Sequence, residues 1–266
     1  MFKRYYLLQN NIFSGDSRPL NLIVLDEVTS TNDYLKSQLS KFKPLPEFTA
    51  IMARKQTNGR GQRDNTWLSA PNVNITFSLL LYPVFLKLRD HFILNMCVSL
   101  GIIDWFHSLQ IDAKIKWPND LMINDKKVTG ILIENKSNSK GIKESIIGIG
   151  INANQEEFPG EIAEKASSIF RETNYTVPSL ENSCREIINY ITKRYIALEK
   201  QEISHENLLA EYNENLFLRN QTSKYRAGDE IFEAKILRVD EDGKLYLETN
   251  DGVTTFYFKE VEFLLQ

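Results

Sequence analysis

From Lys114 to Asn152 short apolar runs alternate with turn-forming residues, and that pattern calls for a sheet. Lys114 to Trp117 reads as a short strand, broken by Pro118. Leu121-Met122-Ile123, then Asn124-Asp125, then Val128 to Ile133 reads as a hairpin. Asn138 to Lys143 is another turn, Ile146 to Ile151 returns as a strand, and Asn152-Ala153-Asn154 leaves it.

Upstream, Leu22-Ile23-Val24-Leu25 suits a buried strand. Ser30 with Asp33 three positions later fits a helix N-cap, and Leu35 and Leu39 share that helix's face. Lys41 to Phe48 reads as a loop and Thr49 to Arg54 as a strand. Val73, Ile75, Phe77 and Leu79 alternate with Asn74, Thr76 and Ser78, the pattern of a half-buried strand. Ile93, Met96, Leu100, Ile103 and Phe106 predict an amphipathic helix over roughly Arg89 to Leu109, with further helices from Glu161 to about Phe217. Ser179 or Glu181 starts one of them. After Asn220 the texture changes to three or four short strands, with Asp242-Gly243 and Asp251-Gly252 as turns. The expected division is a large domain, 1–219, and a small β-barrel, 220–266.

Composition narrows the function. The 266 residues are 42% hydrophobic and 25% charged, as in an ordinary globular enzyme. A net charge of −3 weighs against a nucleic-acid binder. Cys97 and Cys184 show no metal or disulfide spacing, and His91, His107 and His205 are scattered. The N-terminus lacks a signal-peptide pattern and no apolar run is long enough to span a bilayer. A cytoplasmic location with no membrane association is the expectation.

Four segments carry candidate chemistry. Gly59-Arg60-Gly61 lets backbone approach a ligand and offers a guanidinium fork to phosphate or carboxylate, with Arg54, Lys55 and Arg63 nearby. Alone, such a motif is more often a solvated hairpin tip. Lys116-Trp117-Pro118-Asn119-Asp120 puts a cation, an amide and a carboxylate around one turn, although Asn and Asp also serve turns structurally. Lys127 alternates with Thr129 and Ile131 and so could enter a cleft, whereas Lys126 reads as solvent-facing. Gly130, Gly148 and Gly150 inside strands suggest that something approaches the backbone closely.

Taken in order, Ser30-Thr31-Asn32, Gln56-x-x-Gly59-Arg60-Gly61, the Lys116–Asp120 run, Lys127-x-x-Gly130-Ile131-Leu132 and Gly148-Ile149-Gly150-Ile151-Asn152 resemble the biotin–protein ligase family over residues 20 to 200. The resemblance implies an α+β fold, a mixed central sheet flanked by helices (class II synthetase-like), with a small C-terminal SH3-like β-barrel. It implies biotin and ATP as substrates, Mg²⁺ with ligands left open, and a biotin carboxyl carrier domain as acceptor. By the family's pattern Ser30, Thr31, Asn32, Gln56, Gly59, Gly61 and Gly130 would bind biotin. Arg60 and Lys127 would hold its carboxylate and the α-phosphate. Gln62, Trp67, Asn119 and Asn152 would join them around ATP, and Asp120 would orient the acceptor amine.

Gln62 stands where many members carry another arginine. The chain begins about twenty residues before the first motif strand, so an N-terminal DNA-binding domain and operator binding are not expected. An edge strand in the hairpin region leaves a homodimer open. The nearest alternative is a lipoate or octanoate ligase of the related fold. A single-stranded nucleic-acid binder, using Arg54 to Arg63 and Phe256-Tyr257-Phe258, is the alternative from another class.

Overall fold

A computed structural model describes residues 6–8, 18–41, 44–62, 65–139, 141–160 and 162–265; Arg63, expected to add charge to the glycine loop, lies outside them. The order of elements is β1 (Tyr6–Leu8), β2 (Asn21–Val28), α1 (Thr31–Lys41), β3 (Thr49–Gln56), β4 (Ile75–Leu81), a 3-10 turn (Leu88–Asp90) and α2 (His91–Ser108). Then come β5 (Lys114–Lys116), β6 (Asp120–Ile123), β7 (Lys126–Asn138), β8 (Gly141–Ile151), α3 (Ile162–Lys165), α4 (Ile169–Thr173), α5 (Leu180–Glu199) and α6 (His205–Glu214). The chain ends in β9 (Thr222–Ala227), β10 (Glu230–Val239), β11 (Leu245–Thr249), β12 (Gly252–Phe256) and β13 (Glu262–Leu264).

Eight strands form one mixed sheet in the order β1-β2-β3-β4-β8-β7-β6-β5, with β2 and β3 parallel and the other pairs antiparallel. Helices cover both faces of its centre. α2 and α5 pack on one side, against Phe77, Leu79 and Ile147. α1 packs on the other through Leu35 and Leu39, against Leu25, Ile51, Leu80 and Ile146. Two expectations therefore change. β4 is buried along its whole length, not on one face only, because on its other face Ser78 and Leu80 meet α1 rather than water. α2 is buried at nearly every position from Phe92 to Phe106, because the sheet, α5 and α6 enclose it.

The hairpin of β7 and β8 is longer than its apolar core suggested and reaches Asn138 and Gly141. Asn124 takes a positive φ of 52° in the two-residue turn between β6 and β7, the conformation such turns demand. Ser179 caps α5 by accepting from Asn182 N. Cys97 and Cys184 are fully buried; burial pushes the Cys97 thiol up to about 12 and also raises that of Cys184, so both serve as apolar filler. No described helix is long and apolar enough to cross a membrane.

At Gly101 on α2, a Cβ would lie 2.8 Å from Ile191 Cα on α5, so glycine is what lets the two helices touch. Gly101→Val is expected to cost about 2–3 kcal/mol by overpacking, read as a lower urea midpoint at unchanged slope.

The last five strands form a separate antiparallel sheet in the order β12-β11-β10-β9-β13, where three or four had been expected. Stacked rings of Tyr225, Phe232 and Phe256 line its core. It docks on the large sheet's helices: Asn213 of α6 pairs with both N–H and C=O of Val239, and Trp117 Nε1 donates to Gly243 O at 2.9 Å. Buried residues of both parts belong to one continuous apolar cluster.

Candidate functional site

Register places a row of residues across five neighbouring strands: Thr76 on β4, Gly150 on β8, Gly130 on β7, Asp120 on β6 and Lys116 on β5. Directly opposed residues share a face of a sheet. This row, read across, is a hydroxyl, two bare backbone positions, a carboxylate and an ammonium. The parallel row Ser78, Gly148 and Leu132 lies beside it, on the same face as α1. Apart from Ser78, which lies beneath α1, they floor a cavity of about 640 Å³.

The N-terminus of α1 closes one end. Gln56 Oε1 accepts from Thr31 N at 2.9 Å and from Thr31 Oγ1 at 3.3 Å. Ser78 Oγ sits 2.7 Å from Thr31 Oγ1 and 2.5 Å from Asn32 Oδ1. Ser78 donates its one proton to Asn32 Oδ1, an acceptor only, and accepts from the Thr31 hydroxyl. Asn32 Nδ2 donates to Glu134 at 2.7 Å. Gly148 is explained by this cluster, since a Cβ there would lie 2.5 Å from Asn32 Oδ1.

The glycine–arginine segment forms a small hairpin above the floor. Gly61 N donates to Asn65 O at 2.7 Å and Trp67 N to Gly59 O at 3.0 Å. Trp67 lies over the glycine pair: a Cβ at Gly150 would be 2.3 Å from its ring, and one at Gly130 3.0 Å. Its Nε1 is buried without a partner, as is Thr76 Oγ1 below. Arg60 Nη2 pairs with Asp33 at 2.8 Å and Glu134 at 2.9 Å, while its buried Nε has no partner. Burial would raise the Glu134 pKa, but hydrogen bonds from Lys36 and Asn32 and the charges of Lys36 and Arg60 hold it below the usual value. Gln62 Nε2 donates to Asn119 Oδ1 at 2.8 Å, and Asn119 Nδ2 to Ile131 O at 2.9 Å, tying the hairpin to the turn before β6.

Lys127 reaches the cavity by a route the alternation did not predict. Leu121 opposes Thr129 but Met122 opposes Lys127, so Val128 is the extra residue of a β-bulge. The bulge puts Lys127 on the face of Gly130, not of Thr129 and Ile131. A Cβ at Gly130 would lie 3.4 Å from Lys127 Cε, and the ammonium pairs with Asp120 Oδ1 at 2.7 Å.

Of the residues singled out in the sequence, Ser30, Thr31, Asn32, Gln56, Arg60, Gly61, Gln62, Trp67, Asn119, Asp120, Lys127 and Gly130 all line this cavity. Gly59 and Asn152 stand behind its wall. Gly59 backs onto Trp67 O. Asn152 is buried, donates to Ser167 O at 3.0 Å and leaves Oδ1 without a partner. Arg54 pairs with Glu181 and Asp26, and Lys55 with Glu27, so neither adds its charge to the cavity. Unforeseen were the walls given by the small sheet's end, Phe258, Lys259, Glu262 and Phe263.

A model of the Biotin/lipoate A/B protein ligase family matches residues 24–152. The bifunctional ligase/repressor BirA of Bacillus subtilis is 31% identical over 220 residues, 82% of this chain and 66% of that protein. Its counterpart in Bacillus spizizenii is 30% identical over 243 residues, 90% of this chain and 73% of that protein. Among solved structures, the biotin protein ligase of Aquifex aeolicus in complex with biotin and ATP superposes with a TM-score of 0.73 at 27% identity, covering 92% of this chain and 99% of that one. The chain belongs to the biotin/lipoate A/B protein ligase family and is a ligase.

Proposed function

We propose that the cavity joins biotin to ATP as biotinyl-5′-AMP and then passes the biotinyl group to a lysine of a biotin carboxyl carrier domain, in the cytoplasm. The observation that carries this reading is that the transverse row, with its two bare glycines, Asp120 and Lys116, shares one cavity with Lys127 and the polar end of α1. Once the Trp67 ring lifts off the glycine pair, a flat bicyclic ligand fits over bare backbone, and its ureido group meets the hydroxyls and amides of Ser30, Thr31, Asn32 and Gln56. Gly59 and Gly61 shape the hairpin above it, and Gly130 supplies floor.

A carboxylate must attack an anionic phosphate, and two unit charges 4 Å apart repel by about 4 kcal/mol at an effective dielectric near 20. Lys127 and the Nε edge of Arg60 reduce that repulsion in place, without reorganising when the reaction occurs. A carboxylate oxygen bonds to the α-phosphorus and pyrophosphate leaves with the electron pair of the broken P–O bond. Gln62 and Asn119 hold the hairpin over the nucleotide, Trp67 packs beside its base and Asn152 Oδ1 accepts from the base's amino group. In transfer, the acceptor amine attacks the acyl carbon, AMP leaves, and the amine's proton passes toward Asp120.

The described residues hold no cluster of three metal-ligating side chains. Mg²⁺ would be held mainly by nucleotide phosphates, with the Asp120 carboxylate on the cavity floor as protein donor. Bound there, the ion would neutralise phosphate charge.

Mass spectrometry of a biotin carboxyl carrier domain tests the reading. Incubation with this protein, biotin and Mg-ATP should add one biotinyl group to one lysine, and omission of ATP should abolish it. Modification by lipoate or octanoate, but not biotin, would replace this reading with the alternative ligase.

A further inference from the structure

We propose that Lys116 is a further catalytic residue, the one that holds pyrophosphate as it leaves the α-phosphate. This rests on the activation chemistry proposed above. Lys116 ends the floor row and is the cross-strand partner of Asp120, so Asp120 lies between Lys116 on β5 and Lys127 on β7. The other cavity cations are engaged: Lys127 with Asp120, Arg60 with Asp33 and Glu134, and Lys259 over the Phe258 ring. Lys116 makes no ion pair among the described residues and lines the cavity.

Its side chain is also held in place. The ammonium lies 5.3 Å from the centroid of the Phe263 ring, contributed by the small sheet, where the ring face attracts a cation. Burial, with the repulsion of Lys127 and Lys165, lowers its proton affinity despite the attraction of Asp120 and Glu262. An arriving polyanion offsets that burial, so the site favours a multiply charged ligand over a neutral one.

The chemistry requires a cation at this point. As the carboxylate oxygen bonds to the α-phosphorus, the bond to the bridging oxygen breaks and its electron pair stays with pyrophosphate. The bridging oxygen gains one negative charge and no proton moves. With the α-phosphate at Lys127, the next cation toward the sheet edge, beyond Asp120, is Lys116.

Lys116→Met keeps the aliphatic stem on Phe263 and removes the charge; Lys116→Arg keeps the charge. In ATP–pyrophosphate exchange, Lys116→Met should raise the KM for pyrophosphate at least about tenfold, as expected for loss of a charge-assisted contact. Lys116→Arg should restore it to within about threefold, and biotin affinity should stay within about twofold. A pyrophosphate KM unchanged by Lys116→Met overturns the assignment, as does an equal loss of biotin and pyrophosphate affinity. If the wild-type protein catalyses no biotin-dependent exchange, the activation reading falls instead. Calorimetry with inorganic pyrophosphate then decides Lys116 separately. Binding weakened at least about tenfold by Lys116→Met supports it, and either no binding by wild type or equal binding by both proteins overturns it.

Discussion

Lys127→Ala should lower biotin-dependent ATP–pyrophosphate exchange about 10²- to 10³-fold, the range seen when one fixed donor is removed from a developing charge. The β-bulge at Val128 makes the effect large. It turns Lys127 off the line of Thr129 and Ile131 and sets it over the glycine floor, 2.7 Å from Asp120. Nothing else in the row replaces it. Arg60 is anchored to two carboxylates, and Lys116 stands on the far side of Asp120. Stability should barely change, because both members of the Lys127–Asp120 pair are partly solvated and such pairs contribute about 0–1 kcal/mol. Exchange within about threefold of wild type, with the variant folded, would remove Lys127 from the reacting centre.

How much of this was legible depended on whether the signal was local. The Ser30 cap, the Asn124 turn and the strand hairpin follow from neighbouring residues, and they appear where the sequence puts them. The cavity residues were legible as short polar runs at strand ends. The bulge was not: a single extra residue reverses the parity of a strand, and Val128 looks like any other apolar position. The burial of β4 was hidden for a related reason. Ser78 and Asn74 read as solvent-facing, yet each is buried with partners distant in sequence, Thr31 and Asn32 for Ser78, Ala153 and Gln155 for Asn74. The partners of Arg60, Asp33 and Glu134, are likewise set by tertiary contact alone. Phe258 and Phe263 gave no sign of reaching the cavity, because only the packing of the small sheet brings them there.

Gly150→Val should separate binding from folding. Gly150 has β4 on one side and β7 on the other, and its φ lies outside the left-handed region, so a β-branched residue suits the backbone itself. The obstacle is above the strand, where an added Cβ would sit 2.3 Å from Trp67. Trp67 belongs to the glycine–arginine hairpin, which is held to the floor by few bonds, Gln62 to Asn119 among them. The ring can therefore lift while the sheet stays intact, and the melting temperature should change little. A flat ligand that takes the ring's place on the glycine pair has no such escape, because the valine methyls occupy that place. Overpacking of about 1–3 kcal/mol corresponds to a loss of biotin affinity of about 10- to 100-fold. Calorimetric titration with biotin measures it directly. Wild-type affinity in a folded Gly150→Val protein would mean that biotin does not lie across the two glycines, and the floor of the cavity would need another occupant.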